Sequence, residues 1–140
     1  PYKGADALRD LIADRVQFMF ATIPSVLSHI NSGSLRAIAV SSTKRSRSLP
    51  YVPTVPERGF PGFEAGSWFG FFAPKGTPPE VIATLNKAVN EIIAVPATEA
   101  QLIKEGADPA GGTSAQFADF VKREYEKWKV VVRESGATAE

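Results

Sequence analysis

The chain has 140 residues, which is the size of one domain and enough to bury a core. Lys and Arg number 16 against 15 Asp and Glu, a net charge of +1, so no broad electrostatic footprint for nucleic acid or an acidic partner follows. A hydrophobic fraction of 44% with 22% charged residues argues against disorder, and the absence of Cys excludes disulfides, thiolate nucleophiles and Cys-bearing zinc sites. No apolar run approaches the roughly 20 residues of a spanning helix. No basic-then-apolar leader opens the sequence, so a signal peptide is expected to be absent or removed.

Pro1-Tyr2-Lys3-Gly4 reads as a turn feeding a helix. Ala5, Leu8, Leu11 and Ile12 then recur at helical spacing. Val16 to Phe20 is a short apolar run that predicts a strand. Thr22 is placed to cap a second helix with Pro24 in its first turn; that helix carries Val26, Leu27 and Ile30 and stops at Gly33. Leu35 to Val40 predicts the next buried strand.

Ser41 to Pro61 holds four prolines and the cations Lys44, Arg45 and Arg47, and predicts an ordered connector with one helical turn near Val55–Arg58. Glu64 to Ala73, with Trp68, Phe69, Phe71 and Phe72, predicts an aromatic strand buried on both faces.

The last third predicts helices. Thr77-Pro78-Pro79-Glu80 fits a capping box with proline at the first helical position. Val81, Ile82, Leu85, Ala88, Val89, Ile92 and Ile93 form the apolar stripe that follows. Pro96 breaks this helix, a shorter one runs from about Ala97 to Glu105, and Gly106 ends it. Ala107 to Ala110 fits a short strand. Thr113 and Gln116 form a second capping box, opening a long helix with Phe117, Phe120, Val121, Tyr125, Trp128, Val131 and Val132 on one face and Gly136 beyond its end. The strand–helix alternation argues for an α/β layered fold, with right-handed crossovers making neighbouring strands parallel.

Several stretches together resemble the C-terminal half of Bug/TctC-type solute-binding proteins, the periplasmic receptors of tripartite tricarboxylate transporters. They are Pro1–Gly4, Phe18-Met19-Phe20 with Pro24-Ser25, Leu35–Val40, Lys44-Arg45-Ser46, Val52–Val55, Gly59–Glu64, Ser67–Gly70, Ala73–Pro78, Pro109–Thr113 and Lys127-Trp128. They keep one order over essentially the whole chain. The resemblance implies a periplasmic-binding-protein-like α/β fold, an open sheet of mostly parallel strands flanked by helices, here as part of a two-domain clamp. It implies that the first ligand-holding loops belong to an N-terminal half not included in these 140 residues. Residues 1–63 would then form part of the second, ligand-clamping domain, 64–76 a hinge or crossing strand with its linker, and 77–140 helices returning to or packing on the first domain.

The resemblance also implies a function: extracytoplasmic capture of small carboxylates by backbone amides in an interdomain cleft, with no cofactor, no metal and no catalysis. The implied partners are an organic acid and the membrane components of the transporter; no nucleic acid is expected, and localisation is periplasmic. A carboxylate can be held by main-chain N–H groups at a helix N-terminus, helped by the helix dipole. Two turns have this form. Tyr2, Lys3, Gly4 and Ala5 open the first helix, and Ala21, Thr22 and Ser25 bracket the start of the second. Both follow presumed strand ends, where open α/β sheets bind ligands; as plain residues they also read as ordinary strand-to-helix turns. Ala21 and Ala5 depart from the family pattern, which favours a polar or acidic residue and a second glycine there.

Other features have plainer readings. Lys44–Arg47 reads as a solvated loop rather than a phosphate patch. Gly111–Ser114 lacks the lysine of a phosphate loop and reads as a helix cap. The aromatics at 68–72 read as core rather than a stacking cleft. His29 is the only histidine and reads as a surface or capping residue. No hydrolase elbow or Ser-x-x-Lys pair is placed as the hydrolase motifs require. Two alternatives stay open: an interaction module that oligomerises through the aromatic strand, and an enzyme of unassigned chemistry. The 140-residue piece is expected to self-associate through apolar surface left by its missing partner domain.

Overall fold

A computed structural model describes residues 4–138. The chain groups into two compact units: residues 1–70 with 97–109, and residues 71–96 with 110–140. The chain therefore passes from one unit to the other three times, and residues 97–109 are an excursion into the first unit from a path that begins and ends in the second.

In the first unit, α1 spans Gly4–Ile12, with Asp6 in its first turn and an exposed Arg9–Asp6 ion pair at 3.4 Å. Asp14, at φ 56°, takes the chain out of the helix, and Arg15 ties this exit back through its amide to the Asp10 carbonyl (2.8 Å) and its guanidinium to the Asp10 carboxylate (2.9 Å). Helix α2 spans Ile23–Asn31 and ends ahead of Gly33, whose φ of 78° is the left-handed value glycine tolerates.

The core of this unit is small. Leu27 of α2 meets Val40, just ahead of the connector, and Leu49 and Val52 within it, with Ile23, Ile30 and Ala37 packed around them. The proline-rich connector is thus a structural half of the core. Its fold is set by a single parallel bridge, Val40 to Thr54, made by Val40 N–H to the Pro53 carbonyl and Val55 N–H to the Val40 carbonyl, both 2.9 Å. A 3₁₀ turn at Pro56–Arg58 follows, within the predicted helical stretch.

The predicted sheet is the main correction. Among the described residues there is no β-strand; the stretches 16–20, 35–39, 64–73 and 107–110 are extended or irregular chain. A strand needs a neighbour to take its N–H and C=O groups, and among the described residues these stretches find only the Val40–Thr54 bridge and one bond from Ala65 N–H to the Ser41 carbonyl (3.0 Å), too few to form a ladder. The aromatic stretch is likewise not buried: Phe69 is 87% exposed and Phe71 84%, so burial on both faces does not hold within this chain.

In the second unit, α3 spans Pro79–Ile93 and α5 spans Ser114–Ser135. They are the only two helices, among the described residues, whose backbones approach to packing distance. The capping residue of α3 differs from the prediction. Pro78 is the N-cap, held extended (φ −56°, ψ 139°) by the following proline, and the Thr77 hydroxyl instead donates to the Pro74 carbonyl at 2.8 Å. The α5 capping box forms as the sequence predicts: Gln116 N–H donates to Thr113 Oγ1 (3.1 Å) and Thr113 N–H to Gln116 Oε1 (2.8 Å). Phe72, Phe117 and Phe120 form a ring cluster, with centroids 5.3 Å and 6.4 Å apart. The apolar stripes lie on these helices, yet Leu85, Ile92, Tyr125 and Val132 are exposed.

Between α3 and α5 in sequence, α4 (Pro96–Lys104) belongs to the first unit. No helix among the described residues is long and apolar enough to cross a membrane.

Candidate functional site

Of the residues singled out at the first turn, Tyr2 and Lys3 lie outside the described residues. Gly4 is the first residue of α1 and Ala5 is exposed in its first turn. The second turn is fully described. Thr22 is the N-cap of α2, extended at φ −72°, ψ 140°. Its hydroxyl does not cap the backbone. It donates to the Ser25 hydroxyl (3.2 Å), which in turn donates to the Thr22 carbonyl (2.7 Å).

This arrangement decides which donors face outward. Pro24 has no N–H, and Ser25 N–H already donates to the Thr22 carbonyl at 3.0 Å. Ile23 N–H, in the first turn, takes no partner among the described residues. Ala21 and Ser25 are exposed and Thr22 half-buried. The turn therefore offers the Ile23 main-chain donor flanked by two hydroxyls at the positive end of a helix. The backbones of α1 and α2 do not come within packing distance of each other.

What backs the α2 turn was not legible in the sequence. Gly106, at φ 87° and buried, closes α4 and lies against this turn: a Cβ there would stand 2.7 Å from Ile23 Cγ2 and 3.0 Å from Pro24 N. Asp108 accepts from the buried Ser46 hydroxyl (3.1 Å) and from Arg47 N–H (3.3 Å). Ser48 donates to the Ile103 carbonyl (2.5 Å), and Arg47 pairs with Glu99 at 2.5 Å. The sequence marked Gly106 only as a helix stop, and nothing local marks a tie between positions 46 and 108.

The other candidates resolve into structure. Lys44 is exposed, Arg45 forms an ion pair with Glu57 (3.0 Å), and Arg47 is engaged by Glu99, so the basic cluster is not a free patch. The Arg45 guanidinium, with Thr54 N–H 2.6 Å from the same carboxylate, holds Glu57 below the ordinary carboxylate range, and Glu57 raises Arg45 in return. The Gly111–Ser114 stretch is a cap: Asn90 Oδ1 accepts from Gly112 N–H (2.8 Å), while the amides of Asn86 and Asn90 both donate to the Gly112 carbonyl at 3.0 Å. His29 sits in the last turn of α2, where its carbonyl accepts from Ser32. No cluster of three metal-ligating side chains occurs among the described residues.

Residues 1–137 match the family model described as the tripartite tricarboxylate transporter family receptor. The chain belongs to this family. Protein BugT of Bordetella pertussis is 43% identical over 138 residues, covering 98% of this chain and 42% of BugT. Among solved structures, an R. palustris protein with adipate superposes with a TM-score of 0.86 at 36% identity, over 97% of this chain and 46% of that one. The periplasmic binding protein BugD gives 0.76 at 31% identity, over all of this chain and 48% of BugD. MatC from Rhodopseudomonas palustris, with bound malate, gives 0.77 at 32% identity, over 94% of this chain and 46% of MatC. The chain thus spans less than half the length of these relatives. Its fold corresponds to part of a periplasmic binding protein, and its relatives are transport receptors.

Proposed function

We propose that this chain is the ligand-clamping portion of a non-enzymatic periplasmic receptor that captures small carboxylates for a tripartite tricarboxylate transporter. The observation that carries this reading is the exposed start of α2, which no side chain caps, in a chain whose solved relatives hold adipate and malate. One carboxylate oxygen would take the Ile23 amide. The Thr22 and Ser25 hydroxyls would then rotate away from each other and from the Thr22 carbonyl to donate to the second oxygen. Gly4 and Ala5, with Tyr2 and Lys3 before them, would supply a second donor group at the start of α1. Residues 1–63, with 97–109 returning to them, would form the clamping body, and 64–76 a crossing.

The test is an amide-resolved NMR titration with adipate and malate. A lone helix-terminus contact is worth only about 0.3–1 kcal/mol, so millimolar or weaker binding is expected from this chain alone. The Ile23 and Ser25 amides should move, and dimethyl adipate should leave them still. Equal shifts with the ester, or none with either acid, would refute the site.

We also propose that the isolated chain self-associates. Phe18, Phe20, Phe69 and Phe71 on unpaired chain are the surface concerned. Sedimentation should give a dimer or larger species, reduced by F18D/F20D. A monomer at high micromolar concentration would contradict it.

A further inference from the structure

We infer that residues 97–109 act as a wedge that sets the position of the α2 N-terminus, with Gly106 as the contact and Asp108 as its anchor. The functional half of this inference rests on the carboxylate site proposed above; the positional half does not.

The geometry builds in three steps. First, α4 ends in a tight turn: Gly106 N–H donates to the Ile103 carbonyl and Ala107 N–H to the Leu102 carbonyl, both 2.9 Å. The paired bonds and the left-handed glycine form a Schellman-type stop. Second, that turn lies against Ile23 and Pro24 so closely that a methyl group in place of the Gly106 hydrogen would displace main-chain atoms of the site turn, with Pro24 N at 3.0 Å and the Ile23 carbonyl carbon at 3.1 Å. Backbone does not yield as a flexible side chain does, so a Cβ here must move either α2 or the turn. Third, the turn is fixed from behind. Asp108 takes two hydrogen bonds from Ser46 and Arg47, and Ser48 holds the Ile103 carbonyl. Ser46 is buried, and its hydroxyl also accepts from Ser48 N–H at 3.3 Å, so the anchor is built into the connector that supplies Leu49 and Val52 to the core.

The segment has a further property. It is joined to the second unit at both ends, at Pro96 and at Pro109. Just beyond Pro109, Gly112 is held on both its N–H and its C=O by Asn90 and Asn86 of α3. Gly111 has no room for a side chain, since a Cβ would lie 2.6 Å from Asn90 Oδ1. Within the first unit, the Gly106 contact and the Asp108 anchor make these two residues positioning residues for the donor group at α2.

The experiment compares Gly106→Ala, Asp108→Ala and Gly59→Ala in the 140-residue chain. Gly59 also has a left-handed φ (101°) but nothing within 4 Å of its would-be Cβ, so it carries the backbone strain without the contact. Gly106→Ala and Asp108→Ala should each move the Ile23 and Ser25 amide resonances of the folded, ligand-free chain. They should also weaken the adipate response about two- to fivefold, the range one helix-terminus contact spans. Gly59→Ala should do neither. If Gly106→Ala does not fold, Asp108→Ala carries the test alone. A role confined to stability would lower the unfolding midpoint and leave the native Ile23 and Ser25 amides in place; that result, or equal shifts from Gly59→Ala, overturns the inference. Shifted amides in variants of a chain that never responds to adipate would uphold the positioning and refute the carboxylate reading.

Discussion

Leu49→Ala tests whether the proline-rich connector is part of the core. Leu49 is 1% exposed and cannot slide to fill a void, because its N–H donates to the Ser46 carbonyl (3.1 Å) and its carbonyl accepts from Val52 N–H (3.0 Å). Truncation removes three carbons, about 2.4 kcal/mol at roughly 0.8 kcal/mol each. The cavity adds to this, within the about 2.7–5 kcal/mol seen for buried leucines. Ile23, Ile30 and Ala37 around the core are only half-buried and free to relax inward, so the lower end applies: about 3 kcal/mol. Urea denaturation followed by NMR separates the units, with the Val40 amide reporting the first and the Asn90 amide the second. The Val40 midpoint should fall by about 1–3 M for an m-value of about 1–3 kcal/mol/M. Ile38→Ala, at an exposed position beside the same segment, should cost under about 0.5 kcal/mol. A Leu49→Ala cost below about 1 kcal/mol, or one equal to Ile38→Ala, would show that the connector does not hold the first unit together.

Three further outcomes are expected. Thr113→Ala removes the α5 capping box and should cost the second unit about 1 kcal/mol, read at the Asn90 amide, with the Val40 amide unchanged. Asn90→Ala leaves Gly112 N–H without its acceptor and should cost about 1–2 kcal/mol, whereas Asn90→Asp keeps that acceptor and should recover part of the loss. The pH dependence follows from Glu57. Its carboxyl is lowered from 4.5 first by the hydrogen bond from Arg45, so its contribution is fully present above that value and disappears as pH falls through the lowered one. The Thr54 amide should therefore titrate below pH 4.5, and Glu57→Gln should flatten the curve; a midpoint above 4.5 would refute the pairing.

The helices were legible because their signals are local. Periodic apolar residues place α1, α2, α3 and α5, and the glycines at 33, 106 and 136 all stand at left-handed φ where a helix stops. The α3 start was misread by one residue because two prolines in a row move the cap from Thr77 to Pro78. At the candidate site, the sequence placed Thr22 and Pro24 correctly at the start of α2. It did not show that Ser25 N–H is taken by the Thr22 carbonyl while Ile23 N–H is left open, because that depends on the local backbone geometry of the turn. The ties between Ser46 and Asp108, 62 positions apart, and between Gly106 and Ile23 belong to tertiary packing and have no sequence signature.

The strand predictions failed for a reason that bears on function. The runs 16–20, 35–40 and 64–73 have strand composition, but sheet pairing is not a property of one segment. The same residues carry the most exposed phenylalanines of the chain. A sequence selected to be buried and a structure that leaves it open are reconciled if these segments complete a sheet with polypeptide beyond the 140 residues, as the relatives' greater length allows. On that view the α2 turn is the part of the proposed site whose surroundings lie within this chain. Its neighbours α4, Ser46 and Asp108 are all within the chain, so the geometry around Ile23 should be unaltered when further strands are added. Ligand affinity should rise on their addition while the amide pattern of the α2 start, already set by the wedge behind it, stays as it is.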